Sequence, residues 1–506
     1  MTDPHHTTFR NLLSLIRAAE PRVDTDLVTL AYETARQAHA GQKRISGEDY
    51  IVHPLNVAIY LAQLHYIDTS TIIAGLLHDV IEDTSYTIET LRKDFGDEIA
   101  DIVMGVTVLE KLKYRGVERY LENLRKMFVA MAKDLRVIFI KFADRIDNLK
   151  TLHVWPHDKQ LRIAQETVEI YAPIANRLGM GKIRGELEDL AFPYIDPDAY
   201  TWTKNLLLSI APKREKYLDD VKDIMKKTME KEKIKPVDIH GRAKHLFSLY
   251  RKLLRYDKDI SRIYDIITMR VIVKNLADCY ATMGIIHQRW RPLKGRIKDY
   301  IANPKPNGYQ SLHTTVFCEK GEILEFQIRT KKMHEEAEFG VAAHWQYKER
   351  GEDGGDSATA KIDLDWIREL TRWHKRIHEN EEQLQKMKLD VFQNRIFIFT
   401  PNGEIIDLPE DATPIDFAYH IHTEVGNHCT SAMVNDRLVP LDTKLKSGDI
   451  VEIITDKKRK TPSSDWLQFV KTTTARAHIK NQVKVHIVDW LKNIVPGEDK
   501  ETKLRR

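Results

Sequence analysis

Apolar positions recur at three- and four-residue spacing over roughly the first 195 residues, in runs such as TIIAGLLHDVI and ENLRKMFVAMAKDLRVIFI, and this period predicts helices throughout. From about 200 to 235 the pattern stays helical but becomes highly charged (KREKYLDDVKDIMKKTMEKEK), and Pro236 ends it. Beyond that point the period changes to two. IYDIITMRVIV and GEILEFQIRT read as strands, separated by turns and helices up to about 345, so a mixed α/β or α+β unit is expected. KERGEDGGDSATA carries almost no large apolar residue and reads as an exposed loop. Between about 390 and 455 the order is RIFIFT, a turn at Pro401-Asn402-Gly403, EIIDLP, a helix near 414–422, then SAMVNDRLVPL and DIVEIIT. That order suggests a small β-grasp. The tail beyond about 463 is helical, basic and short, and the natural chain is expected to continue past it or to have been truncated.

At roughly 150 residues per domain, 506 residues exclude a single small fold, and 42% hydrophobic residues supply material for several cores. No apolar run approaches the ~18 residues of a membrane span, and MTDPHHTTFR lacks the basic start and apolar stretch of a signal peptide, so a cytoplasmic location without membrane contact is expected. Cys279, Cys318 and Cys429 are far apart and form neither a disulfide framework nor a thiolate zinc motif; packing is their default role. The net charge of +4 hides local clusters: residues 233–258 hold eight Lys/Arg against two acids, and 289–306 six against one. Such windows attract polyphosphate, although a solvated helix face gives the same pattern.

On a helix, His78, Asp79, Glu82 and Asp83 share an arc of roughly 140°, opposite Ile73, Leu76, Leu77 and Val80. Adjacent His and Asp can reach one ion, and the next turn sets two carboxylates where the protons of a metal-bound water must be handled. In FIKFADRIDNLKTL, Asp144, Asn148 and Thr151 oppose Phe142, Ile146 and Leu149, and YIVHPLNVA adds His53. Each of these residues alone reads more readily as structural; the set is harder to dismiss.

His53, the pair His78 and Asp79, and Asp144 resemble the H…HD…D signature of HD-type metal phosphohydrolases. HDVIEDT and KFADRIDNLKTL resemble the hydrolase domain of the RelA/SpoT family of (p)ppGpp synthetases and hydrolases, and the likeness extends through nearly the whole chain. The resemblance implies that the four ligands hold one Mn²⁺, that Glu82 and Asp83 assist the attacking water, and that Arg44, Asn148 and Thr151 contact the nucleotide. An intact His-Asp pair implies a working hydrolase. One position departs: the family usually has His where this chain has Asp147.

In the mixed region, Leu324, Phe326 and Ile328 alternate with Glu325, Gln327 and Arg329, and Asp265 is an acid within an apolar strand run. Two carboxylates from separate strands are a usual Mg²⁺ holder against a triphosphate, and an edge salt bridge for each is the competing reading. Arg242, Lys244, Ser248, Arg251 and Lys252 fall within three turns, and Arg296, Lys298 and Lys305 surround a Pro/Gly loop in which Gly308 precedes Tyr309. These stretches resemble the family's synthetase domain, which transfers the β,γ-pyrophosphate of ATP to the 3′-hydroxyl of GDP or GTP. The resemblance implies Mg²⁺ on Asp265 and Glu325, with Glu325 also drawing the 3′-hydroxyl proton. It further implies ATP on Arg242, Lys244, Ser248 and Lys252, and the guanine nucleotide at Asn307, Tyr309 and His313, with Tyr309 stacked on the base; Arg296, Lys298 and Lys305 join this site as phosphate clamps. Arg296-Ile297-Lys298-Asp299 matches the basic R-x-K-D form of bifunctional members.

The 390–455 segment resembles a TGS domain, which implies contact with deacylated tRNA on the ribosome, His422 being the best single candidate and His420 and His428 reading equally well as packed helix-end histidines. Long members carry further helical, zinc-finger and ACT domains, of which at most the first helices fall within this chain. The expected architecture is therefore multidomain: an all-α HD-type hydrolase domain (1–195), a helical connector (196–235), an α+β nucleotidyltransferase-like synthetase domain (236–347), a loop and helical linker (348–388), a small β-grasp TGS domain (389–456) and the start of a helical domain (457–506). The expected function is a bifunctional stringent-response enzyme making and degrading (p)ppGpp. The alternatives are a tRNA- or ribosome-responsive regulator with one active catalytic half, and an HD hydrolase of other nucleotides.

Overall fold

A computed structural model describes residues 4–19, 23–64, 68–110, 127–343 apart from 128, 132 and 306, 395–401, 405–446, 449–456 and 461–482. The loop and linker expected over 348–388 lie outside them. The chain divides into two units, Met1–His378 and Glu379–Arg506. Among the described residues no helix is long and apolar enough to cross a membrane.

The first unit begins with α1 (Pro4–Ala19), α2 (Thr25–Ala38), α3 (Val52–Gln63), α4 (Thr69–Leu77), α5 (Val80–Asp83), α6 (Ile88–Glu110) and α7 (Arg136–Lys150). The helical period emerges as packing: Leu55, Leu61, Ile73, Leu76, Phe142, Ile146 and Leu149 are all buried where α3, α4 and α7 meet. Asp68 caps α4, its carboxylate accepting from the Thr71 amide at 2.8 Å. One expectation needs correction. The run through HDVIED is not one helix: α4 stops at Leu77, and the dihedrals of His78 and Asp79 stay near helical while the hydrogen-bond ladder breaks, resuming at α5. Buried carboxylates and imidazoles crowd that turn, which favours a break over a regular ladder.

α8 (His157–Glu166), α9 (Ala172–Arg177) and α10 (Gly181–Ile195) lead to α11 (Pro197–Lys231), which starts with Pro197 in its first turn and the Asp196 carboxylate on the Ala199 amide at 2.9 Å. Leu218, Val221, Met225 and Met229 of α11 are buried in the core of the mixed region. There β1 (Asp238–Ala243), β2 (Ile267–Val273), β3 (Lys298–Asp299), β4 (Leu312–Phe317) and β5 (Ile323–Thr330) form a sheet of order β1-β2-β5-β4-β3, antiparallel except for the parallel pair β2 and β5. α13 (Leu276–Arg289) and α14 (Lys331–Phe339) pack against it, and α12 (Leu246–Arg255) packs on α10 and α11 with Leu249 and Leu253 in the same core. β2 is buried at every position, which explains its nearly continuous apolar sequence. Leu324, Phe326 and Ile328 of β5 are fully buried, each contributing roughly 1.5–3 kcal/mol relative to exposure. Asp265 lies two residues before β2, so the acid expected inside the strand sits at its mouth; the charge buried within β2 is Arg270.

A seam of glycines joins the helical and mixed regions. Gly340 has φ +55°, and a Cβ there would stand 2.0 Å from the Leu178 carbonyl oxygen; at Gly185 a Cβ would meet the His245 ring at 2.2 Å.

The second unit contains β6 (Arg395–Phe399) paired with β7 (Ile405–Pro409), α15 (Pro414–Ile421), and a sheet of β8 (Cys429–Val434), β9 (Arg437–Val439) and β10 (Val451–Thr455) in the order β10-β8-β9. Ile396, Ile398, Leu408, Phe417 and Val451 share one core between the two sheets and the helix, the expected grasp. The buried Asp416 carboxylate closes a capping box with Thr413 and also accepts from the Lys471 and Thr472 amides at 2.9 and 2.6 Å, tethering the segment after the grasp.

Gly340→Ala should destabilise the first unit by about 2 kcal/mol or more, because the strained dihedral and a backbone oxygen that cannot swing aside act together. Chemical denaturation against the parent chain measures it.

Candidate active sites

The first centre sits where α3, the α4–α5 turn and α7 converge. His53, His78 and Asp144, all buried, place ligand atoms within 4.8 Å of one another. Asp79 joins them, its carboxylate 3.1 Å from His78 Nε2 and 3.5 Å from His53 Nε2, so the four residues expected as ligands come together. His78 offers a direct test of fit for a cation. Its Nδ1 lies 2.8 Å from the Gly75 carbonyl, which can only accept, so Nδ1 carries a proton, and the buried Nε2 makes no aligned hydrogen bond and faces the Asp79 carboxylate, where a cation would sit. Two imidazoles and two carboxylates around such a nitrogen form a donor set suited to a divalent ion.

Burial raises the carboxyls here, yet their cationic neighbours outweigh it. Asp79 is held below the ordinary range by His78 and His53, Asp144 by Lys141 and His53, and Asp147 by His53 and Arg44. Burial likewise opposes the His53 imidazolium, but Asp144, Asp147 and Asp79 prevail and lift it to about 10. Lys141, buried on α7, donates to Asp144 at 2.7 Å. Arg44, Asn148 and Thr151 are also brought together, the guanidinium reaching Asn148 Oδ1 at 3.2 Å and Thr151 Oγ1 at 3.1 Å. Glu82 is half-buried and Asp83 exposed at the rim. The Tyr50 hydroxyl lies 2.9 Å from Asp79 and 2.7 Å from Asp83, linking a ligand to that rim. Sequence reasoning missed Tyr50, Lys141 and Asn56; Lys141 and Asn56 lie one helical turn from Asp144 and His53, which was the available signal, while nothing local marks Tyr50.

The second centre is a cavity of about 430 Å³ above the sheet. All twelve residues assigned to the synthetase site line it: Arg242, Lys244, Ser248, Lys252, Asp265, Arg296, Lys298, Lys305, Asn307, Tyr309, His313 and Glu325. Lys244 and Lys252 donate to separate oxygens of Asp265 at 2.7 and 2.6 Å, and although burial opposes it, they draw that carboxyl down to about 2. Glu325 accepts from His313 Nδ1 at 2.9 Å, and His313 Nε2 faces the Tyr309 hydroxyl at 2.8 Å. Gly308 takes φ +74°, as the turn into Tyr309 requires. Two acids among so many cations, with room for phosphates, suit an ion that prefers a few protein oxygens.

Arg270, Arg329 and Glu338 also line the cavity and were missed. Glu338 Oε1 holds Arg270 at 2.8 Å and Arg242 at 3.0 Å; Arg329, 2% exposed, donates to the Tyr309 hydroxyl at 2.5 Å and lies over its ring. Arg329 falls in the polar row of β5, and nothing local in the sequence marks it as buried. Lys305 sits 4.7 and 4.6 Å from the Tyr300 and Tyr309 ring centres, and burial together with Lys298, Arg329 and Arg184 pushes its amine down to about 8. Asp299 of the R-x-K-D stretch spends its carboxylate on the Ile301 and Ala302 amides and the Tyr280 hydroxyl. In the second unit His422 is exposed and caps the Glu424 amide through Nδ1, His420 is exposed, and His428 bonds the Glu424 carbonyl.

A His/Asp metal group in a helical domain, followed by a cation-walled cavity on a mixed sheet and by a small grasp, defines a two-centred HD protein. Family models agree: an HD domain matches residues 31–181, a region found in RelA / SpoT proteins 241–352, and a TGS domain 396–455. The chain is 45% identical over 495 residues to a GTP pyrophosphokinase of Streptomyces coelicolor, covering 94% of this chain and 58% of that protein. It is 47% identical to a guanosine-3′,5′-bis(diphosphate) 3′-pyrophosphohydrolase of Aquifex aeolicus (90% and 64%), and 44% identical to the bifunctional (p)ppGpp synthase/hydrolase RelA of Mycobacterium tuberculosis (93% and 64%). The chain belongs to the RelA/SpoT family, and it spans about three-fifths of the length of these relatives. The HD match and the His53, His78 and Asp144 group together mark a divalent-metal site.

A bound polyphosphate should raise the Lys305 amine from about 8, so at pH 8.5 binding takes up a proton and affinity falls as pH climbs further. Calorimetric titration of a nucleoside diphosphate in two buffers of different ionisation enthalpy should show the uptake, and Lys305→Met should remove it.

Proposed function

We propose that this chain is a bifunctional alarmone enzyme. At the cavity it transfers the β,γ-pyrophosphate of ATP to the 3′-hydroxyl of GDP or GTP, and at the HD centre it hydrolyses (p)ppGpp to GDP or GTP and pyrophosphate. The observation that carries this reading is the coexistence of two complete and chemically different centres in one unit, one a His/Asp group and the other a cation-walled cavity with two acids.

His53, His78, Asp79 and Asp144 would hold Mn²⁺, which when bound supplies Lewis-acid activation of water. Glu82 and Asp83 flank the centre to take up and return protons. Arg44, with Asn148 and Thr151, offers donors to the nucleotide beside the scissile phosphate ester.

For synthesis, Asp265 and Glu325 would hold Mg²⁺, and Lys244 and Lys252, resting on Asp265 without substrate, are within reach of incoming phosphates. Glu325 accepts the 3′-hydroxyl proton as the oxygen bonds to the β-phosphorus and the bond from that phosphorus to the bridging oxygen breaks, releasing AMP. His313 holds the carboxylate in place. Arg242, fixed by Glu338, suits the adenine side, and Ser248 with Lys252 the ATP phosphates. Asn307, Tyr309 and His313, with Arg296, Lys298 and Lys305, suit the guanine nucleotide. The exposed His422 supports a contact of the TGS domain with deacylated tRNA on the ribosome, and a cytoplasmic location is part of the proposal.

Chromatography of two incubations, ATP with GDP and ppGpp with Mn²⁺, tests the whole reading: product in both supports it, and an idle centre in either refutes bifunctionality. Asp79→Ala should cut hydrolysis below about 1% of the parent and spare synthesis, because it removes a ligand. Glu325→Gln should do the converse, lowering synthesis by about 10²–10⁴-fold as a lost general base.

A further inference from the structure

Asp147 stands on α7 one turn beyond Asp144 and is 6% exposed, yet it is not one of the converging ligands. Its oxygens are already committed. Oδ2 accepts from His53 Nδ1 at 2.7 Å and from Arg44 Nη1 at 2.5 Å, and Oδ1 accepts from Asn56 Nδ2 at 3.0 Å. The three donors come from α3 and from the segment ahead of it, about a hundred residues away in sequence.

We propose that Asp147 is the positioning residue of the hydrolase centre, a shared carboxylate that fixes a metal ligand with one contact and the nucleotide-binding arginine with another. The proposal rests on the hydrolase reading above. A carboxylate held on Nδ1–H leaves Nε2 as the ring nitrogen turned toward a cation, and the ring cannot rotate without breaking that bond. His53 Nε2 is the nitrogen that faces the other ligands, 3.4 Å from Asp144 Oδ1 and 3.5 Å from Asp79 Oδ2. The same carboxylate pins Arg44, whose second terminal nitrogen extends to Asn148 and Thr151 at the end of α7. Asn56, one turn after His53 on α3, holds the remaining oxygen and so fixes the plane of the carboxylate. A histidine at this position has no pair of acceptor oxygens with which to hold both cationic partners at once.

The test uses the full chain with Asp147→Ala and Asp147→Asn, Mn²⁺ alone as the probe, and calorimetry or the electron-spin signal of free Mn²⁺ as the readout. Synthesis from ATP and GDP on each preparation reports that the chain is folded. Asp147→Ala should weaken Mn²⁺ binding by about 10–100-fold and raise the KM for ppGpp. Asp147→Asn keeps a carbonyl acceptor for His53 and should recover most of the Mn²⁺ affinity while leaving KM raised, since Arg44 loses its counter-charge. If Asp147→Ala fails to fold, the Asn variant decides through the same split between metal affinity and KM. A parent that hydrolyses ppGpp while Asp147→Ala binds Mn²⁺ within twofold of it overturns this proposal alone: a residue that merely neutralised Arg44 would behave so. A parent that neither binds Mn²⁺ nor degrades ppGpp overturns the hydrolase reading and the proposal with it.

Discussion

Both centres depend on one constraint, the compensation of buried negative charge. A carboxylate removed from water is tolerated only beside a cation or several donors, and each acid in these sites has such a partner supplied by the chain. Asp144 leans on Lys141 and His53, Asp265 on Lys244 and Lys252, Glu325 on His313. The partners are themselves groups able to coordinate an ion or bind phosphate. Each site is thereby assembled and stable before substrate arrives, and binding exchanges one set of charge partners for another without rebuilding the fold.

The two centres solve the constraint differently. In the helical domain the acids outnumber nearby cations, the His53 imidazole is driven up to about 10, and His78 Nε2 is buried without a hydrogen bond, an environment that favours a metal. In the mixed domain cations dominate, Lys305 is driven down to about 8 and Asp265 to about 2, an environment that favours polyphosphate. Opposite electrostatic surpluses on one chain fit the different ligands proposed for the two centres, a metal ion and a polyphosphate.

Much of this was legible in the sequence because the relevant signals are local. Helical period placed Asp144 opposite Phe142 and Ile146, strand alternation placed Glu325 between Leu324 and Phe326, and the turn chemistry of Gly308 and Tyr309 was visible in two letters. Long-range pairings were not. Arg44 with Asp147, Tyr50 with Asp79, and Glu338 with Arg242 and Arg270 join residues whose spacing carries no periodic signal. Asp147 itself, read from sequence as a departure, becomes intelligible only when His53 and Arg44 are seen on either side of it. The break between α4 and α5 escaped notice because the residues around it keep a helical period while the ladder fails.

The glycine seam has a bearing on ancestry. At Gly340 the helical and mixed regions meet main chain to main chain, and at Gly185 main chain meets the His245 ring, with no space at either for even a methyl group. Over the history of such a chain, a side chain acquired at either position would wedge the two regions apart unless the facing residues changed with it. Change at these positions in one region is therefore restrained by the shape of the other.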